Sequence, residues 1–389
     1  MKSDEPVGAK GTISVVNAVK DCLQESRRSD RRERLDKSAK NWDLYLGHQN
    51  FDNKQEGQSC EFLPKTAQAT EQFAGFVERA LTKYQNPYNI DLPADVPIRA
   101  ESVKKILDFY LNNLPDKSAK NPAVVQFAQR AADLVKFAMH RSIMVAKVYG
   151  TEIAKPYARV EPGEFSINPT TGAIERNESS ISIQDKDHWR LAIDLIPDED
   201  YFKDPTGNGL YEIHQVTRDI NHLYEMAEQG VYDKSVVDQI ESDFSEREEQ
   251  EFRTRRRERN SVPRTRKQVV ITEFWGTLLD DNGKVAQRNI VTTIANEKYL
   301  LRPPIKNPNW NGESCFVEGQ LIRVPLSNYH KALYDDAGPL NEALNELFNL
   351  MLDGSIGSVW GVKEVRADYL ENAEDLDGGL TQNETLHLN

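Results

Sequence analysis

The sequence predicts an α+β fold in which helical and β-rich blocks are kept apart, on three observations. Apolar stripes of helical period run from residue 66 to about residue 140. Short β-branched runs broken by Gly, Pro and Asn follow, and Asp281-Asn282-Gly283 separates two further β-rich runs. Stripes that recur every three or four residues mark amphipathic helices, and short runs bounded by turn residues mark strands.

Taken in order, residues 1–40 are rich in charge, with "RRSDRRER" at 27–34, and read as a solvated helix face or a mobile arm. "TAQATEQFAGFVERALTKY" (66–84) places Ala69, Phe73, Phe76, Val77, Ala80, Leu81 and Tyr84 on one helical stripe. A second helix is expected over 101–114, ended by Pro115. A third begins at Asn121-Pro122, a cap residue followed by a first-turn proline. "IMVAKVYG", "ARVEPGEFSINP" and "SISIQ" then read as strands, and "HWRLAIDLIPDEDYFKDPTGNG" as a strand closing on an acidic turn.

Helix returns over about 217–245 as two short stripes, Ile220/Leu223/Tyr224/Ala227 and, beyond Gly230, Val236/Val237/Ile240/Phe244. The Asn282-Gly283 pair marks a β-hairpin, because a type I′ turn needs positive φ at both central residues. Residues 302–330 carry four prolines and read as loop and extended chain. The last strong helix spans Pro339 to Asp353, with Leu340, Ala343, Leu344, Leu347, Phe348 and Met351 on its apolar face. Asn341, Glu342, Asn345, Glu346, Asn349 and Asp353 occupy the other face, and Gly354 and Gly357 can end the helix. Two helical segments therefore enclose a β-rich insertion, a stalk carrying a small β module on a larger α+β body. Stripes this narrow bury little alone, so the stalk needs neighbours, copies of itself.

Composition bounds the function. With 49 Lys+Arg against 62 Asp+Glu the formal net charge is -13, which argues against a protein that coats DNA through phosphate neutralisation. It does not exclude one that lets DNA pass. The 38% hydrophobic and 29% charged residues are those of a soluble chain; no apolar run reaches membrane-spanning length, and no signal peptide opens it. Cys22, Cys60 and Cys315 are too few and scattered for a disulfide framework or zinc site, and read as reduced thiols.

No phosphate-binding glycine loop, nucleophile elbow or paired-His motif occurs, so no catalytic, cofactor-binding or metal residue is assigned. The acidic groups Asp194/Asp198/Glu199/Asp200/Asp204, Asp280/Asp281 and Glu374/Asp375/Asp377 lack calcium-loop spacing and read as turn and solvent residues. His140, on a packed helix, reads as a hydrogen-bonded structural residue. The most basic run is 253–267, where Arg253, Arg255, Arg256, Arg257, Arg259, Arg264, Arg266 and Lys267 meet only Glu258. It either pairs with acids of a neighbouring subunit, "SEREEQE" at 245–251 being the candidate, or forms a ring of positive charge around DNA; the first is favoured.

In this order, "NWDLYLGHQNFDN", "FLPKTAQATEQFAGFVERALTKY", "IPDEDYFKDPTG", "EFWGTLLDDNGKV…NIVTTIANEKYLLRPPIKNP" and "FVEGQLIRVPLSNYHKALYDDAGPLNEALNELFNLMLDGSIG" resemble the portal (head-to-tail connector) proteins of tailed bacteriophages, of the podovirus type. The likeness covers most of residues 40–360. It implies a portal-like fold: a wing over 1–216, a first stem segment over 217–262, and a β-rich clip over 263–335. A second stem helix over 336–358 and the start of a return into the wing over 359–389 follow. Family chains usually continue into a tunnel loop and helical crown, and the crown is expected to be absent here.

The resemblance further implies a homo-oligomeric ring, usually of twelve subunits, at one vertex of a capsid assembled in the bacterial cytoplasm. Double-stranded DNA passes through it during packaging and ejection. Its implied partners are the terminase large subunit and the capsid, scaffolding and head-completion or tail adaptor proteins, with no membrane, no cofactor and no enzymatic activity. The Asn341–Asp353 face becomes the candidate channel lining, unless it meets solvent outside the ring. Trp275, Asp280, Asp281 and Asn282 become candidate clip contacts with terminase or tail. The rival readings are a nucleic-acid-binding or metal-dependent nuclease-like protein using the basic 253–267 run, and another virion scaffold protein.

Overall fold

The computed structural model describes residues 9–27, 29–54, 57–83, 88, 90, 99–116, 123–161, 165–167, 174–176, 180–243, 267–280, 283–309, 311–325, 327 and 329–360. Helix and sheet are mixed among them. The helices are α1 (Ala9–Ser26), α2 (Ser29–Tyr45), α3 (Lys65–Lys83), α4 (Ala100–Leu111), α5 (Phe127–His140), α6 (Ile220–Glu228), α7 (Lys234–Ser242) and α8 (Tyr334–Trp360). The strands are β1 (Leu114–Asp116), β2 (Ala123–Val125), β3 (Met144–Glu161), β4 (Phe165–Ile167), β5 (Ile174–Arg176), β6 (Ser180–Ile196), β7 (Tyr201–Lys203), β8 (Tyr211–Asp219), β9 (Gln268–Leu279), β10 (Val285–Ala295), β11 (Tyr299–Lys306) and β12 (Phe316–Gly319). They fall into two compact units.

The first unit comprises Met1–Ser26, Phe76–Leu134 and Met144–Glu318. Its centre is a five-stranded antiparallel meander in the order β11-β10-β9-β8-β7. Both faces are covered, and strand alternation assigns the residues. Ile213, Phe274, Ile290 and Ile294 meet Val15, Val16, Val19 and Leu23 of α1 on one side. Val269, Ile271, Ala295 and Leu301 meet Ile220, Leu223, Val237 and Ile240 of α6 and α7 on the other. Burial on both faces explains why Val269, Val270 and Ile271 are apolar in succession rather than alternating with polar residues.

The β9–β10 hairpin forms as the Asn-Gly signal requires. Gly283 has φ +73, and Val285 pairs with Leu279; residues 281–282 lie outside the described set. The sheet also unites 201–219 with 268–306, so the boundary expected at residue 263 falls between strands of one sheet. Beside it, β3 and β6 pair antiparallel over their full lengths, and Val148 N–H donates to Cys315 O at 2.8 Å.

Four local expectations change. Residues 9–26 are no solvated arm, because the Val15/Val16/Val19/Leu23 stripe caps the sheet. The third helix starts at Phe127 rather than Asn121, because Val124 and Val125 first pair with Pro115 and Leu114. Within the segment expected to be loop and extended chain, Phe316–Gly319 pairs into a sheet as a strand. The last helix runs from Tyr334 to Trp360, past both Gly354 and Gly357 and with Pro339 in its second turn.

The second unit comprises Arg27–Gly75, Val135–Ile143 and Gly319–Asn389. Its knot is aromatic. His140 is fully buried, stacks on Tyr334 with ring centroids 4.7 Å apart, and meets the Thr70 hydroxyl at 3.3 Å. Trp42 and Tyr45 of α2 pack edgewise or tilted on the same imidazole. Burial pushes His140 down to about 4, so it stays neutral, a structural residue as expected.

Two outcomes follow from this packing. His140 binds a proton more weakly folded than unfolded, so its contribution is complete above pH 6.5 and is lost as pH falls from there toward 4. The loss is expected to be about 3 kcal/mol, and His140→Gln should flatten that part of the stability–pH curve measured by denaturant unfolding. At Gly276, φ is +144 and an added Cβ would lie 2.3 Å from Leu210 O and 2.7 Å from Tyr211 Cα. Gly276→Ala should therefore lower stability by roughly 3 kcal/mol or more, read as a drop in the urea midpoint.

Candidate functional site

Helix α8 is the feature that gathers the residues singled out in the sequence. At about 100° per residue its side chains fall on three edges. Asn341, Asn345 and Asn349 share one, Glu342 and Glu346 a second, and Leu340, Leu344, Leu347 and Met351 a third.

The asparagine edge faces inward. Asn345 and Asn349 are fully buried and Asn341 is 4% exposed, whereas Leu340, Leu347 and Met351 are 72%, 60% and 71% exposed. What binds the asparagines is backbone, that of residues 59–63. Glu61 N–H donates to Asn349 Oδ1 at 2.8 Å while Asn349 Nδ2 donates back to Glu61 O at 3.1 Å. Leu63 N–H donates to Asn345 Oδ1 at 3.0 Å, and Ser59 N–H to Asp353 Oδ1 at 2.8 Å.

The register has a geometric cause. Four helical residues advance about 6.0 Å and two extended residues about 6.6 Å. Positions 345, 349 and 353 therefore meet residues 63, 61 and 59 in step, antiparallel. Each side-chain amide takes the place of a neighbouring strand, a role a leucine cannot fill. Asn345 Nδ2 also donates to Gln49 Oε1. Hydrogen bonds from Ser59 hold the Asp353 carboxyl below the usual range. Asn341 differs, because neither amide atom has a hydrogen-bond partner among the described residues.

This corrects the expectation that the asparagine–glutamate face lies open to a channel or to solvent. All three asparagines are buried, and Asn345 and Asn349 are so because the 59–63 backbone needs their amides. The glutamates stay accessible. Glu342 pairs with Lys40 at 2.9 Å, and Glu346 is exposed.

The other selected residues are not brought to this helix. Trp275 is buried in β9 and donates its indole N–H to Glu273 at 2.9 Å. Burial alone would raise the Glu273 carboxyl, but His214, the Lys147 ammonium and that indole together hold it well below the usual carboxylate range. Phe316 packs on Trp275, His214 and Tyr201 around the same spot. Trp275 is thus a core residue of β9 packed on Phe316, not an exposed docking group.

Asp280 is exposed at the hairpin turn, where its carboxylate accepts from Lys284 N–H at 2.7 Å. Asp281, Asn282 and Arg253 to Arg266 lie outside the described residues. Lys267 pairs with Glu241 at 2.9 Å, an acid of its own chain. Asp204, one of the acidic cluster, closes its own turn by accepting from Thr206 N–H and Leu210 N–H at 2.8 and 3.1 Å. Among the described residues no group of three or more His, Cys, Asp or Glu is placed to hold a metal ion, and no helix is long and apolar enough to cross a membrane.

Sequence reasoning separated the leucine stripe from the asparagines but took the asparagine side for the open one. The signal was present in the four-residue spacing of Asn341, Asn345 and Asn349, since solvent-facing positions have no reason to repeat one amide. A family model described as "Phage SU10 portal protein" matches residues 123–377, which is 255 of the 389 residues. No curated protein matches the chain.

Two substitutions on one edge should act in opposite directions. Asn349→Leu strands a backbone N–H and a C=O and is expected to cost about 2–3 kcal/mol. Asn341→Leu removes two unsatisfied polar atoms and is expected to raise stability by about 1 kcal/mol. Thermal and urea unfolding of the two variants against the parent chain checks both signs.

Proposed function

The chain belongs to the phage SU10 portal protein family, a structural family of the virion that works as an oligomeric assembly at the capsid vertex, and on that premise we propose that copies of it close into a ring, of twelve subunits, whose central channel carries double-stranded DNA during packaging and ejection. The observation that carries this reading is the family match over about two thirds of the chain. The ring also serves as the docking platform for the terminase large subunit and later for head-completion and tail proteins. Catalysis belongs to the motor that it holds.

In this reading residues 1–216 form the wing, 217–262 and 336–358 the stem, 263–335 the clip, and 359–389 begin the return into the wing. Asp280, exposed at the hairpin turn, is the clip residue offered to terminase or tail, together with its chain neighbours Asp281 and Asn282. Arg253 to Lys267 pair with acids of the same or a neighbouring subunit, as Lys267 does with Glu241.

A translocating channel gains nothing from holding phosphate, because every cation that binds one releases counterions and adds affinity. The acidic edge of α8 supplies the matching property. Glu342 and Glu346 repel the duplex, so the channel candidates contract to these two carboxylates, the asparagines being spent on the fold. Of the two, Glu346 is the cleaner probe, since Glu342 also holds Lys40.

Negative-stain microscopy of the purified chain should show rings with a central hole; monodisperse monomers at tens of micromolar would overturn the ring. Glu346→Lys should leave ring formation intact and slow DNA packaging severalfold in a packaging assay with prohead and terminase. Unchanged packaging removes Glu346 from the channel.

A further inference from the structure

A closed ring of more than two copies needs two different complementary surfaces on each subunit, because a surface that pairs with itself closes a dimer. Helix α8 offers one of them. Leu340, Leu344, Leu347 and Met351 follow a 4-3-4 spacing, the seam on which helices pack side by side at a shallow angle. All four are exposed, from 40% at Leu344 to 72% at Leu340, while the opposite edge is committed to residues 59–63.

The second surface has the same spacing on another helix. In α3, Ala69, Phe73, Phe76 and Ala80 again lie 4-3-4 apart, and Phe73 and Phe76 are 45% and 68% exposed. The buried side of α3 is Thr66, Thr70 and Ala74, which face Tyr334 and Leu44 through hydrogen bonds and small side chains. Its aromatic stripe is therefore left outward. Both stripes extend over eleven residue steps, roughly 16 Å at the helical rise, with alanines at the ends of one and Leu or Met at every position of the other.

Resting on the ring reading above, we propose that the α8 leucine stripe of one subunit packs against the α3 phenylalanine stripe of the next copy, so that this helix pair is a repeated subunit contact of the ring. The inference assigns Leu347 and Phe73 to opposite sides of one interface.

A disulfide trap in the full chain tests the pairing. Cys60, the exposed native thiol, is replaced by serine, and Phe73→Cys and Leu347→Cys are introduced singly and together. A disulfide forms only when the two Cα atoms come within about 7 Å. Oxidation of the double variant should give a ladder of covalent multimers on a non-reducing gel, while either single variant gives none beyond dimer. In parallel, Leu347→Lys should weaken assembly at least tenfold by mass photometry with an unchanged melting temperature.

If the parent chain forms rings and the double variant gives no ladder, the pairing is overturned and the ring stands. If Leu347→Lys assembles normally but melts early, residues of its own chain cover the stripe, and the pairing is again overturned. If the parent chain forms no rings, the ring reading falls and takes this inference with it.

Discussion

The second unit is organised by the need of an irregular backbone segment for hydrogen-bond partners. Residues 59–63 belong to no sheet, yet three of their N–H groups point at α8, where Asn345, Asn349 and Asp353 accept them. A buried N–H without a partner costs about 1–3 kcal/mol, so the helix must present amides and a carboxylate on that side. This requirement decides the rotation of α8 about its own axis. Once the asparagines face inward, the leucines have nowhere to go but out.

The packing around that ladder follows the same economy. Gly338 lets α2 approach α8 closely, since a Cβ there would lie 3.2 Å from Leu44 Cδ1. Asn41 donates to Asp335 at 2.9 Å and to the His140 carbonyl at 3.3 Å, which joins α2 to the start of α8 and the end of α5. The aromatic knot of His140, Tyr334, Trp42 and Tyr45 supplies the apolar burial that the asparagine edge cannot. Polar satisfaction and hydrophobic burial thus occupy neighbouring places on the same helices.

In the first unit the dominant constraint is a sheet covered on both sides. Apolar residues of β9 and β10 serve two cores at once, which makes these strands an interior element although their sequence suggests a projecting module. The one carboxylate among them, the half-buried Glu273, is tolerated because the Lys147 ammonium and the Trp275 indole N–H meet it, with His214 nearby.

What was legible in the sequence was local. The helical stripes of α3, α6 and α7, the strands after residue 143 and the hairpin at Gly283 each depend on side-chain period or on a backbone angle that few residues adopt, and both are written in neighbouring residues. The family resemblance was also legible, because ordered local patterns survive without knowledge of contacts. The inward turn of Asn341, Asn345 and Asn349, the burial of Trp275 and the docking of α1 on the sheet were decided by tertiary structure. An asparagine looks the same in sequence whether it meets water or a buried peptide group. Its role depends on which distant backbone arrives beside it, here one about 290 residues earlier in the chain. Amphipathicity determined that α8 has two unlike sides; only the fold determined which of them was left for other molecules.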